Sequence, residues 1–178
     1  MLATDKFFVI SLRGPFSKVW NTKDAPDVPR ELGRMATIHH QVSINAPVAA
    51  VYEAIASPDH IGTWWEKQTV VRTDRGLVLE HNPGPEHGAV KLRVAQLIPN
   101  QRVMWECISR HPTTSPASAW TGTHFIFALA EGAGQTTTVD FQQAGYDQRS
   151  TYFESNKAAW GAVMTRLKHV LESSRAAR

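Results

Sequence analysis

A single cysteine, Cys107, stands in the 178 residues. That excludes an intramolecular disulfide and a cysteine-rich metal site, and it fits a reducing compartment. Long hydrophobic runs are missing as well. Phe7-Phe8-Val9-Ile10, the longest near the N-terminus, is too short for a signal-peptide core, and no small-residue cleavage site follows it. Nothing approaches the roughly 20 apolar residues of a membrane-spanning helix, so a cytoplasmic location is the expectation. Charge of one sign is scarce: Lys and Arg number 19 against 16 Asp and Glu, a formal net charge of +3. The isoelectric point is about 9.2, yet basic and acidic residues alternate and form no stripe, so nucleic acid is not an expected partner.

What is present is an ordinary globular composition, 42% hydrophobic and 20% charged, in a chain sized for one domain with a sizeable core. Residues 1–34 read differently from the rest. They hold Pro15, Pro26 and Pro29, six Lys/Arg against four Asp/Glu, and no sustained period. They are expected to be weakly ordered, as an extension upstream of a natural start at Met35 or, alternatively, as a functional tail. The domain is placed at 35–178.

From Ile38 the chain is periodic. Ile38, His40, Val42 and Ile44 alternate with Thr37, His39, Gln41 and Ser43, as a strand requires. Asn45-Ala46-Pro47 breaks the strand, with Pro47 suited to the first position of a helix that carries Val51, Ala54 and Ile55 on one face. Ser57-Pro58-Asp59 repeats the start signal for a second short helix bearing Ile61, Trp64 and Trp65. Six further strands are expected over 68–73, 76–81, 88–98, 101–110, 120–130 and 136–143. They are divided by turn sequences such as Asp74-Arg75-Gly76 and Pro99-Asn100, and the short connections imply an antiparallel meander. Thr151-x-x-Glu154 reads as a capping box. Phe153, Trp160, Val163, Met164, Leu167, Val170 and Leu171 then hold a helical period, opposite Lys157, Arg166 and Lys168. Only the concave face of the sheet can cover that apolar stripe. The expected fold class is α+β: a curved seven-stranded antiparallel sheet, two short helices, and a long C-terminal helix over an apolar cavity.

The order of elements, together with several local strings, resembles the START-related superfamily (SRPBCC, Bet v 1-like, helix-grip). Within it, the resemblance is to the Hsp90-ATPase-activator-like and polyketide-cyclase-like branch. The strings are Ile44-Asn45-Ala46-Pro47, Val51-Tyr52-Glu53-Ala54-Ile55, Pro58 through Trp64-Trp65, Arg102-Val103-Met104-Trp105-Glu106-Cys107, Trp120-Thr121-Gly122-Thr123, Ala144-Gly145-Tyr146 and Trp160-Gly161. The resemblance implies a fold and a pocket, since relatives include lipid carriers, hormone-binding proteins, polyketide cyclases and a co-chaperone domain. Fold alone assigns no reaction. Many members of the branch carry a histidine before the Ala-Gly-aromatic turn, followed by a tryptophan. Here Gln143 and Tyr146 hold those places, and a glutamine cannot act as a general base.

Strand parity sorts the side chains. Phe125 and Phe127 share one face, as do Phe141 and Gln143, and Trp105 and Cys107. The expected wall of the cavity is Trp64, Trp105, Phe125, Phe127, Phe141, Trp160 and Met164, with Cys107, Trp120, Gln143 and Tyr146 as its few polar or polarisable groups. The same aromatics could fill a solid core; the resemblance implies a pocket instead. Eight histidines invite a metal reading, which fails on spacing. His39 and His40 point to opposite faces, and His81 and His87 flank a loop read as surface. His124 reads as part of an outer-face cluster with Asp140 and Glu106. Cys107 reads as an inert buried thiol.

Three functions follow in order. First comes non-catalytic binding of a small hydrophobic or aromatic molecule, without metal or cofactor. About twenty heavy atoms at roughly −0.3 kcal/mol each would give an affinity of tens of micromolar. Second comes a cyclase- or dehydratase-like enzyme using Tyr146 and Gln143 to orient a carbonyl. Third comes a co-chaperone-like interaction module, for which residues 1–34 are short. A second copy of the chain is an admissible partner and a chaperone a less favoured one.

Overall fold

The structure, a computed structural model, describes residues 35–176; the extension expected over residues 1–34 lies outside the described residues. The chain runs β1 (Met35–Ile44), α1 (Val48–Ala56), α2 (Pro58–Trp64), β2 (Thr69–Thr73), β3 (Gly76–His81), β4 (Val90–Ile98) and β5 (Arg102–Cys107). A 3₁₀ turn (Pro116–Trp120), β6 (His124–Glu131), a second 3₁₀ turn (Ala133–Gln135), β7 (Thr137–Asp147) and α3 (Phe153–Ala176) follow. Every neighbouring pair in the sheet is antiparallel, in the order β1-β7-β6-β5-β4-β3-β2. The sheet is curved and open, and α3 lies over it. The α+β helix-grip class expected from periodicity is the class observed.

Local chemistry explains the boundaries, including those that differ from expectation. Pro47 precedes α1 as its cap, and its carbonyl accepts the N–H groups of Ala50 and Val51 at 3.0 and 3.2 Å. Ser57 caps α2 through its carbonyl, which accepts from His60 and Ile61, while its hydroxyl makes no capping bond. At α3 the expected Thr151 capping box gives way to a turn in which Ser150 Oγ accepts the Tyr152 N–H at 3.3 Å, and the helix begins at Phe153. β5 stops at Cys107, short of the expected Arg110, and Trp120 ends a 3₁₀ turn rather than opening β6. β7 runs on to Asp147 because Gly145, at φ +90°, forms a bulge opposite the Ala36/Thr37 step. The bulge turns Tyr146 inward, out of the parity that Gln143 follows.

The core is the concave face. Ile38, Ile44, Val51, Ile55, Ile61, Leu79, Leu92, Val103, Val139 and Leu167 are buried around the aromatic residues, and burying each large apolar side chain stabilises by about 1.5–3 kcal/mol. α3 is tied to β1 by polar bonds as well. His40 Nε2–H donates to the Lys157 carbonyl at 2.7 Å, Lys168 Nζ donates to the Ser43 carbonyl at 2.6 Å, and the Asn45 N–H donates to Glu172 Oε1 at 2.8 Å.

Candidate ligand site in the aromatic interior

Register places the rings opposite one another. Trp105 pairs with Phe125, and Phe127 pairs with both Val103 and Phe141 across adjacent strands. From above, α3 lowers Trp160 onto them. Its ring stacks on Phe141 at 4.5 Å and lies 5.3 Å from Phe125. Trp105 meets Phe127 edge-on at 4.9 Å, and Phe127 lies 5.0 Å from Phe141. Met164, one turn beyond Trp160, is buried in the same core. Aromatic pairs at such separations add roughly 0.5–1.5 kcal/mol each beyond their area burial.

Trp64 and Trp65 play different parts in the interior. Trp64 is fully buried, and its indole N–H donates to the Ala54 carbonyl at 2.8 Å, which ties α2 to α1. Its ring reaches Phe127 edge-on at 6.2 Å but is not among those packed on Trp160. Trp65, the residue that caps α2, swings into the interior instead. It lies 5.1 Å from Trp160, stacks on Trp105 at 6.0 Å, and comes within 6.4 Å of Trp120. Trp120 in turn meets Phe125 edge-on at 5.5 Å. Trp65 and Trp120 are both half-buried, so the cluster reaches solvent between the end of α2 and the first 3₁₀ turn. Trp65 is the residue that sequence reasoning left out; its only signal was its place beyond the last regular position of a short helix.

Two polar edges bound the cluster. On one side Gln143 is fully buried, and its Nε2 donates to Thr123 Oγ1 at 3.0 Å. Thr123 Oγ1 donates to the Trp120 carbonyl at 2.7 Å. On the other side His81 is buried, meets Trp65 edge-on at 4.8 Å, and its Nδ1–H donates to Gln68 Oε1 at 3.3 Å. Burial, and secondly the nearby His111, lower its pKa to about 4, so the ring is neutral at pH 7. The reading of His81 as part of a surface loop is thus corrected: it is the last residue of β3 and faces the interior. Cys107 Sγ lies 3.5 Å from Ser109 Oγ, and burial pushes its thiol pKa up. Ser109 Oγ accepts the Lys91 N–H at 3.0 Å and donates to His111 Nε2 at 2.8 Å, while His111 Nδ1–H donates to the His87 carbonyl at 2.8 Å. The serine and the imidazole are thereby committed to tying two loops together.

Tyr146 is buried but lies apart from the tryptophans. Its ring packs edge-on against Phe153 at 5.3 Å, and its hydroxyl accepts from Asn156 Nδ2, which also donates to the Pro116 carbonyl at 3.2 Å. Burial raises the phenol pKa against the opposing effect of the Asn156 bond.

On the convex face the expected His124 cluster resolves differently. His39 Nε2 donates to Asp140 Oδ2 at 2.9 Å, and Glu106 pairs with Arg93. Burial raises the Asp140 pKa, but the bonds from His39 and Gln142 outweigh it and hold the carboxyl below its ordinary value. A shallow depression of about 270 Å³ beside Val94–Leu97 is lined by no ionisable group. Among the described residues no three His, Cys, Asp or Glu side chains gather as a metal site, and no helix is long and apolar enough to cross a membrane.

Residues 45–172 match the family described as Activator of Hsp90 ATPase homolog 1-like protein. The chain belongs to that family. Solved structures with the same fold include the Aha1 dimer from Colwellia psychrerythraea, at 24% identity and TM-score 0.63, covering 77% of this chain and 96% of that one. Protein MLL2253 from Mesorhizobium loti is 20% identical at TM-score 0.60, covering 78% and 98%. DynU16, a putative protein in the dynemicin biosynthetic locus, is 21% identical at TM-score 0.61, covering 78% of this chain and 48% of that one. At these identities the likeness is one of fold. Comparison with curated proteins finds no match.

Proposed function

We infer that this Hsp90-ATPase-activator-like domain binds a small hydrophobic or aromatic molecule among its interior rings and catalyses no reaction on it. The supporting observation is the placement of Trp65, Trp105, Trp120 and Trp160. Their rings meet at 5.1–6.4 Å between sheet and helix, and two of them are half-exposed. Flat apolar ligands gain by stacking on such faces, and the half-exposed rings are where the cluster meets solvent. A cyclase-like reaction is less well supported. Gln143 has no titratable proton, and the Tyr146 hydroxyl is engaged by Asn156 outside the tryptophan cluster.

The test is a thermal-shift screen of the purified protein against neutral bicyclic and tricyclic aromatic compounds, with native mass spectrometry of the same preparation. Saturating ligand at about 100 times Kd adds roughly 2.7 kcal/mol to stability, a rise in Tm of several degrees. A screen without shifts, together with a mass spectrum showing only the bare chain, contradicts the reading.

A further inference from the structure

Among the described residues, two buried side-chain polar atoms have no hydrogen-bond partner in the protein: Gln143 Oε1 and Trp120 Nε1. They are of opposite kind, an acceptor and a donor, and they flank the same ring. Gln143 is the register partner of Phe125, and the Trp120 indole meets Phe125 edge-on at 5.5 Å. Both residues are also held by Thr123. Its Oγ1 receives the Gln143 amide N–H at 3.0 Å and donates to the Trp120 carbonyl at 2.7 Å, which fixes the amide with its oxygen left over. Gln143 shares its strand face with Phe141, the ring on which Trp160 stacks, so that oxygen belongs to the aromatic interior. A buried donor or acceptor left without a partner loses its hydration with nothing in return, and native interiors rarely keep such groups without a use.

We propose that Gln143 Oε1 and Trp120 Nε1–H form a polar corner that recognises a hydroxyl group on a neutral aromatic ligand: the amide oxygen takes the hydroxyl proton and the indole N–H donates to the hydroxyl oxygen. A hydroxyl is both donor and acceptor, which the corner requires, whereas an ether or ketone satisfies only the indole. The corner carries no charge of its own, so a carboxylate or phenolate entering it would lose its hydration without a compensating cation. This rests on the ligand-binding reading above and specifies its ligand as a phenol or related hydroxylated aromatic.

The experiment compares three 2-substituted naphthalenes by isothermal titration or NMR titration of the full chain: 2-naphthol, 2-methoxynaphthalene and 2-ethylnaphthalene. They offer donor and acceptor, acceptor only, and neither. The wild type is expected to favour 2-naphthol over 2-ethylnaphthalene by at least about fivefold, with the methyl ether between them. Gln143→Leu is expected to abolish the preference of naphthol over the ether, and Trp120→Phe that of the ether over the hydrocarbon, each read as a ratio within the same variant. Equal binding of all three probes to the wild type overturns the polar corner and leaves the aromatic site standing. Preferences that persist unchanged in both variants also overturn it. Failure of every probe to bind the wild type overturns the ligand-binding reading and this proposal together. The wild-type comparison is decisive even if a variant fails to fold.

Discussion

Trp64 and Trp65 show where residue-level reading succeeds and where it ends. Periodicity correctly put Trp64 on the buried face of α2, but burial there serves the α1–α2 joint through the Ala54 carbonyl. Trp65 follows the last helical turn, where the 3.6-residue period no longer dictates direction, and only the three-dimensional path of the chain brings it against Trp105 and Trp160. His81 is a parallel case. Its neighbours Asn82 and Pro83 suggest a surface loop, yet it closes β3 on the inner face beside Trp65. Because its folded pKa is about 4, below the ordinary 6.5, the unfolded chain binds the extra proton first. Its contribution to stability is therefore complete above about pH 6.5 and is lost as pH falls toward 4, at most about 3 kcal/mol. Urea unfolding of the wild type and His81→Phe at a series of pH values is expected to show this in their difference. The wild type should lose stability relative to the variant between pH 6.5 and 4, and the gap should be constant above pH 7.

At the level of elements, strands and helices were legible because their periods are strong and their turns are chemically explicit. The sites of disagreement have local causes: a glycine bulge at Gly145, a 3₁₀ turn before β6, and a Ser150 turn ahead of α3 where a Thr151 capping box was expected. The seating of α3 on β1 was not legible at all, since it depends on pairings across more than 100 residues. Gly161 marks that contact. A Cβ there would stand 3.1 Å from His40 Cε1, whose ring is held by the Lys157 carbonyl. Alanine in place of glycine in a helix ordinarily stabilises by about 0.8–1 kcal/mol, so the two effects oppose. The expectation is that Gly161→Ala stabilises by close to that amount in a His40→Ala background and by clearly less in the wild type. A double-mutant cycle by chemical denaturation measures the difference, and equal effects in both backgrounds would contradict this account of the seating.

For the molecule as a whole, the helix-grip architecture and membership of the Hsp90-ATPase-activator-like family agree with what order, spacing and periodicity suggested. The aromatic character of the interior was legible: Trp105, Phe125, Phe127, Phe141 and Trp160 meet as strand parity and helical period placed them. Trp120 joins them from a 3₁₀ turn, while Tyr146 and Cys107 lie at its margins. What no pattern in one chain displays is which polar atoms remain unpaired after folding, because that depends on how side chains such as Gln143 and Thr123 settle their bonds. The central claim is that the tryptophan cluster takes an aromatic molecule. Its most direct test follows the indole Nε1–H signals of the ¹⁵N-labelled protein during titration with 2-naphthol. The account predicts saturable shifts of the Trp65, Trp105, Trp120 and Trp160 signals along one binding curve, with Trp64, bonded to Ala54, moving least. Indole signals that stay in place, or that drift without saturation, would contradict it.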